Sequence, residues 1–348
     1  MDFKGKNIMV FAPYGCTQHY GDAIRDELIS RGANVKRYDE RPSQKSLTKI
    51  VIRLFKKKIP QIFDRYIAKL IKENEGTKFD YILICKGEAF TPLTINHLRQ
   101  AYPSVTIILY LWDVMHLTKM DDVIASCDRV YSFDPGDVAK NKGLIFRPTF
   151  FVKEYTAVRE TKDYNNDVVF IGTLFGKRYK EIQNFKNKFE AAGYRFLSYL
   201  YVPGLIVYIK DFITKFPYIS FKKIHLDPLS VAGTVEVLNE TKAILDINYS
   251  FQQSLSTRAH EAMAARRKYI TTNPEIKTYN YYNPNNILVI DRNNPVIPKE
   301  FMESGFEPID SKVLYKYSIP GLVDDLFNDT LSSPGYGRFL ANSDTFKD

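Results

Sequence analysis

Residues 252–273, QQSLSTRAHEAMAARRKYITTN, pass from a polar loop through a helix and straight into a strand. The loop carries Ser254, Ser256, Thr257 and Arg258; the helix opens with Ala259-His260-Glu261; Tyr269–Thr272 is a short β-branched and aromatic run. Loop, helix and strand in such quick succession are the repeating unit of a parallel sheet wrapped by helices. The opening Ala259 puts Glu261 in the first helical turn, where unpaired amides and the positive end of the dipole favour anions. Arg258 adds a guanidinium suited to bidentate contact with phosphate. Diphosphate on the guanidinium and helix end, with ligand hydroxyls on Glu261, is the chemistry this stretch offers. A plain solvated glutamate near a helix start is the alternative.

The same alternation extends in both directions. Upstream, Asp167–Ile171 reads as a strand, followed by Gly172-Thr173 and a helix from about Tyr179 to Ala192; Tyr194–Leu200, Ile219–Ile224 and Ala243–Asn248 look extended, and Val231–Thr241 helical. In the first half, apolar runs at Asn7–Ala12, Val35–Tyr38, Asp80–Cys85, Val105–Trp112, Arg129–Phe133 and Leu144–Phe146 read as strands. Helices are expected at Gly21–Arg31, Leu47–Lys72 and Thr94–Ala101. The polar stretch Lys153–Asn166 separates the two series. The expected fold class is therefore α/β, with two Rossmann-like, doubly wound domains over residues 1–155 and 156–310. A C-terminal helix and loose tail over 311–348 would follow, returning to the first domain.

A chain of 348 residues, 45% hydrophobic and 14% aromatic, is long enough for two such cores and is not a disordered composition. Its longest apolar runs fall well short of the roughly 20 residues a membrane helix needs. The N-terminus leads directly into a strand without the pattern of a signal peptide. Cys16, Cys85 and Cys127 are odd in number and lack a CxxC partner, which fits buried, reduced thiols in a cytoplasmic protein and argues against zinc. The net charge of +9 is local: between Lys45 and Asn74 nine Lys/Arg face only Asp64 and Glu73. This Lys45–Lys72 segment spaces its apolar residues by three and four. That pattern fits a helix packed on the sheet, and its charge could also rest on an anionic membrane surface.

Gly172, Thr173, Lys177 and Arg178 form a second place where backbone amides and cations could meet a diphosphate. A basic start opposes the helix dipole, so an anion there would account for it; an ordinary strand–turn–helix is the other reading. In the first domain, ligands should gather at the carboxyl ends of the strands. Asp113 is the leading candidate for a general base there, followed by Glu88, His19 and Asp22, with His116 nearby; each could equally cap a turn. No Asp-X-Asp ends an apolar strand, so neither a metal nor another cofactor is expected.

In their order along the chain, Ile84–Gly87, Leu109–Asp113, Tyr131–Asp134, Asp167–Gly172 and Thr257–Ala264 resemble the CgeB-like (spore maturation protein) group of GT-B-type glycosyltransferases and related capsule and lipopolysaccharide enzymes. The resemblance implies two domains facing across a cleft and transfer of a sugar from a nucleotide-diphosphate donor to a glycan or lipid-linked glycan. It implies that Gly172, Thr173, Lys177, Arg178, Gln253, Ser256, Thr257, Arg258 and Glu261 bind the donor, with Glu261 on the ribose. Many retaining members carry Glu, seven residues, then Glu; here the pair is Gln253 and Glu261, so the residue contacting the transferred sugar is an amide. Two rivals stand beside this expectation: a catalytically inactive assembly partner of the same fold, and a basic nucleic-acid-binding protein. No recognised nucleic-acid motif accompanies the charge, so no nucleic acid is expected.

Overall fold

The computed structural model describes residues 1–43, 60–115, 120–161, 163–174, 178–202, 223–249 and 253–341. The chain divides into two compact units, Met1–Thr149 with Lys316–Asp348, and Phe150–Tyr315. The polar stretch 153–166 therefore belongs to the second unit.

The first unit holds a six-stranded parallel sheet made of β1 (Asn7–Phe11), β2 (Asn34–Tyr38), β3 (Tyr81–Cys85), β4 (Thr106–Leu111), β5 (Arg129–Ser132) and β6 (Leu144–Phe146), in the order β2-β1-β3-β4-β5-β6. β1, β3 and β4 are buried along almost their whole length, which is why they read as continuous apolar runs rather than alternating ones. In the helix Pro60–Glu73, Phe63, Ile67 and Leu70 are buried while Arg65, Lys69 and Lys72 are exposed. Its apolar stripe thus serves the core. Residues 45–59 of the basic segment lie outside the described residues. The helix Pro92–Ala101 opens with a reciprocal capping box between Thr91 and Thr94.

The second unit holds a five-stranded parallel sheet of β7 (Asn166–Thr173), β8 (Phe196–Tyr201), β9 (Thr241–Asp246), β10 (Lys268–Thr271) and β11 (Ile287–Val289), in the order β11-β10-β9-β7-β8. Most of the expected Ile219–Ile224 strand lies outside the described residues. In both sheets the chain places its second strand on one side of the first and its third on the other. The strand order thus reverses between β1 and β3, and again between β7 and β9. Among the described residues no helix is long and apolar enough to cross a membrane.

Two expectations are corrected. The tail is not loose as far as residue 341: Tyr336, Phe339 and Leu340 are buried, the Phe146 amide donates to the Pro334 carbonyl at 2.8 Å, and the Tyr336 hydroxyl donates to the Pro135 carbonyl at 2.9 Å. Its Gly, Ser and Asp residues suggested a solvated end, but three bulky apolar side chains supply the burial that holds it. Cys16 is exposed, whereas Cys85 is buried and Cys127 intermediate. Cys16 follows Gly15 in the loop after β1, outside the sheet that buries Cys85.

The C-terminal segment is tied to the first sheet by charge. Arg147, just after β6, and Asp325, in the helix Ile319–Leu326, are both about 1% exposed and pair at 2.9 Å; Arg338 pairs with the same carboxylate. The Arg147 guanidinium also donates to the Lys316 carbonyl at 2.8 Å. Removing one member of a buried pair strands the other charge, which costs several kcal/mol. Asp325→Ala is therefore expected to destabilise the first unit by about 3 kcal/mol, read as a lowered urea midpoint of its unfolding transition. An unchanged midpoint would show that the ion cluster does not secure the segment.

Candidate functional sites at the carboxyl edges of the two sheets

In an open parallel sheet, the gap between strands whose connections leave in opposite directions is the natural binding crevice. In the second unit this gap lies at the ends of β7 and β9. The Asp246 carboxylate closes β9 and is nearly buried. Its Oδ2 accepts hydrogen bonds from the Ser256 hydroxyl at 2.6 Å and the Tyr269 hydroxyl at 2.7 Å. Arg178, the first residue of the helix Arg178–Ala191, approaches Oδ1 at 3.7 Å, donates to the Ile247 carbonyl at 2.6 Å and stacks on Phe170. Its charge therefore already has a carboxylate and a carbonyl to answer it, and does not by itself call for an anion at the helix start. Thr173 ends β7, and its carbonyl faces the same guanidinium at 3.5 Å. A Cβ on Gly172 would sit 3.0 Å from the Phe170 ring, a tight approach that a side chain here would have to displace. Lys177 lies outside the described residues.

The helix after the loop runs Thr257–Ala264, with Ser256 as its N-cap. It opens two residues earlier than expected, because Ser256 takes extended backbone angles and Thr257 is already helical. Glu261 consequently stands in the second turn, not the first, and is 1% exposed rather than solvated. Its Oε2 pairs with Arg258 Nη1 at 2.7 Å across one helical turn. The Tyr155 phenol, from the 3₁₀ turn Lys153–Ala157, interacts with both side chains. Burial first, and then the Glu261 charge, push its ionisation upward. Glu261 thus acts on Arg258, holding the guanidinium, one-fifth exposed, in a fixed orientation. His260 is buried and meets the Tyr281 hydroxyl through Nδ1 at 3.2 Å. Gln253 is exposed, and Thr257 is partly exposed at the helix start. The sequence reading brought Arg178, Ser256, Arg258 and Glu261 to one sheet edge but missed Asp246, Tyr269 and Tyr155. An acidic residue closing the apolar run Ala243–Leu245 was the available signal for Asp246.

In the first unit the corresponding gap lies at the ends of β1 and β3. Lys86 and Gly87 leave β3 in successive left-handed conformations, φ 73° and 74°. Such a backbone costs energy for lysine and is easy only for glycine. A Cβ on Gly87 would also lie 2.8 Å from Leu109 Cδ1. The turn delivers the Lys86 ammonium to Asp113 at 2.8 Å and to Glu88 at 3.7 Å. Arg41 binds Glu88 at 2.6 Å and reaches Glu40 at 3.4 Å, and Glu40 Oε2 accepts the Glu88 amide at 3.2 Å. Asp113 and Glu88, two of the expected bases, are therefore brought into one cluster. Burial alone would lower Lys86, but Asp113, Glu40 and Glu88 outweigh it and hold the ammonium above its ordinary value. Glu40 has no exposed surface; burial pushes its carboxyl up to about 7, against the pull of Lys86 and Arg41. It is the member that no spacing in the sequence announced. Asp22 is held between Arg25 at 3.0 Å and Arg37 at 3.2 Å, apart from this cluster. The His19 ring lies 3.9 Å from that of Tyr20, tilted by 49°, in the first turn of the helix Gln18–Ser30. His116 lies outside the described residues.

Among the described residues no three His, Cys, Asp or Glu side chains group as metal ligands. No protein-family model matches the chain, and no curated protein matches it in sequence. Solved structures do match in fold. OtsA in its apo form aligns with a TM-score of 0.58 at 10% identity, over 94% of this chain and all (100%) of that one. The catalytic domain of starch synthase IV from Arabidopsis thaliana, bound to ADP and acarbose, aligns at 0.51 and 12% identity over 93% and 92%. A glycosyltransferase from Rickettsia africae ESF-5 aligns at 0.51 and 10% identity over 83% and 85%. With its two parallel sheets and alternating helices, the chain has the α/β fold of the GT-B glycosyltransferases.

Proposed function

We propose that the protein is a glycosyltransferase that takes its sugar from a nucleoside-diphosphate donor bound at the carboxyl edge of the second sheet. The observation that carries this reading is the Arg258–Glu261 pair, set on the helix that follows the β7/β9 gap, with a buried carboxylate orienting a partly exposed guanidinium. A guanidinium held in that way is pre-organised for a diphosphate, so little of its rotamer freedom is lost on binding. The starch synthase IV structure, which shares the fold, contains ADP. The acceptor is a glycan or lipid-linked glycan hydroxyl, placed at the carboxyl edge of the first sheet. There the Asp113–Lys86–Glu88–Arg41–Glu40 cluster supplies carboxylates to take its proton. Surface-polysaccharide assembly by a CgeB-like enzyme, working without a metal or other cofactor in the cytoplasm at the inner membrane face, is the context we propose.

Gln253, exposed near the same helix and standing where many retaining relatives carry Glu, favours a second reading: donor binding without transfer, in an assembly role. Slow hydrolysis of a bound nucleotide sugar by the purified protein would count against it.

Calorimetry with UDP, GDP, ADP and TDP should find at least one that binds. Arg258→Ala should weaken that nucleotide by about tenfold or more, the loss expected for a charged hydrogen bond. Glu261→Gln should weaken it less, because the guanidinium stays but loses its fixed orientation. If neither variant alters affinity or transfer, the donor site lies elsewhere.

Glu40 gives a pH signature. Its carboxyl ionises near 4.5 when unfolded and at about 7 in the fold, so between these values the native state holds a proton that the unfolded chain has released. Stability therefore falls as pH rises through this window, and the loss is complete above about 7. Glu40→Gln is expected to raise Tm relative to wild type by an increment that grows from pH 5 to pH 8. Parallel Tm curves would place Glu40 in a more solvated setting.

A further inference from the structure

We propose that Asp137 is a positioning residue for Asp113: by binding the Met115 amide it fixes the short segment on which the candidate base leaves β4, and so sets where that carboxylate meets the acceptor hydroxyl. The inference rests on the transferase reading above and adds to it a residue that acts through another.

β4 ends at Leu111, still paired with Ser132 on β5, and Asp113 follows two residues later with 39% of its side chain exposed. Such a carboxylate holds its place only if the backbone on both sides is held. Sheet pairing secures the near side. On the far side the Met115 amide donates to Asp137 Oδ2 at 2.8 Å, and Val114 and Met115 are each 8% exposed. An ionised acceptor makes such a bond roughly twice as strong as a neutral one. Asp137 stands on the helix Pro135–Lys140, which is itself anchored: Asp134 accepts the Asp137 amide at 3.1 Å as its N-cap, and the Tyr336 hydroxyl donates to the Pro135 carbonyl at 2.9 Å. Asn141 completes the contact, its Nδ2 donating to the Asp137 carbonyl at 2.9 Å and meeting Met115 Sδ at 3.5 Å. Held in this way, the Asp113 carboxylate meets Lys86 at 2.8 Å. Burial pushes the Asp137 carboxyl up to about 6; the Met115 amide and Lys140 pull it down, while Asp134 and Asp121 push it further up. Once ionised, this carboxylate costs the fold stability. Its place on a backbone amide two residues from the candidate base gives that cost a use.

The test uses the full chain with UDP-glucose, GDP-mannose, ADP-glucose and TDP-glucose, water serving as the acceptor, and follows release of the nucleotide. The water oxygen bonds the anomeric carbon, its proton passes to Asp113, and the nucleoside diphosphate leaves with the bonding electron pair. Asp137→Asn keeps the shape and a neutral acceptor. It is expected to lower kcat by about tenfold, the loss that follows a small misplacement of a reacting group. Affinity for the nucleotide, read by calorimetry, should not change, because the donor binds on the second unit. The wild-type rate should rise with pH through about 6 as Asp137 ionises, and the variant should lack that rise. Between 3.8 and about 6 the folded chain keeps a proton that the unfolded chain has released, so stability falls as pH rises through this window. The variant's Tm at pH 8 should therefore equal or exceed that of wild type; a lowered Tm marks a purely structural residue and overturns the proposal. In an Asp113→Asn background the same change should cost less than about twofold. An equal loss in both backgrounds, or full kcat in Asp137→Asn, overturns the proposal. Should Asp137→Asn fail to fold, hydrogen exchange of the wild-type Met115 amide replaces it. Its protection, corrected for the intrinsic rate, should fall about fivefold as the pH drops from 7 to 5, and constant protection overturns the proposal too. If the wild type releases nucleotide from none of the four sugars, or Asp113→Asn releases it at the full rate, the reading of Asp113 as base and this inference fall together. If Asp113→Asn slows release while Asp137→Asn does not, only the inference falls.

Discussion

The reversal of strand order in each parallel sheet is the constraint from which the rest follows. The strand order reverses between β1 and β3 and between β7 and β9, and in an open parallel sheet the connections that diverge at such a point form the crevice at the carboxyl edge. Backbone amides and helix starts surround that gap, and polar side chains can be placed there without disturbing a core built of buried apolar strands. Lys86 and Glu88 follow β3 in the first unit, and in the second Asp246 ends β9 while Arg178 opens the helix after β7.

At both edges the cations are held by carboxylates rather than left to solvent. Lys86 has Asp113 and Glu88, Arg41 has Glu88 and Glu40, Arg178 has Asp246, and Arg258 has Glu261. Partly buried pairs of this kind add little net stability, since desolvation consumes most of the attraction. What they provide is orientation: a long side chain that would lose rotamer freedom on meeting a ligand has already lost it in folding. The same logic makes Glu261 more useful buried beneath Arg258 than exposed at the helix start. In the first unit the cost is visible, in a left-handed lysine and a glutamate whose carboxyl is pushed up to about 7.

The two ion clusters of the first unit do different work. Arg147 and Asp325 lie beneath the surface, with Arg338 reaching the same carboxylate from a partly exposed position, and all three belong to the same unit, so their role is to fasten residues 316–341 to the sheet. The Glu40 cluster opens at the strand ends, with Asp113 more than a third exposed.

Hydrophobic runs declared the strands, because a central parallel strand is covered on both faces and must be apolar throughout; Ile82–Cys85 and Ile107–Leu111 could hardly be anything else. The loop–helix–strand order of residues 252–273, and the placing of Arg258 and Glu261 on one helix, were equally open to reading. The start of that helix was missed by two residues, since Ser256 and Thr257 suit a loop and a cap alike. The buried tail could not be read from its Gly and Ser content, because only the surface it meets decides whether Tyr336 and Phe339 are covered. Local patterns in the chain, then, determined the elements and the kinds of side chain at their ends, because periodicity and burial act along a few residues at a time. The pairings Asp246–Ser256, Glu40–Arg41–Glu88 and Arg147–Asp325 were decided by the tertiary structure alone. Charges distant in sequence acquire their partners, their protonation and their orientation only when the sheet sets the ends of separate strands side by side.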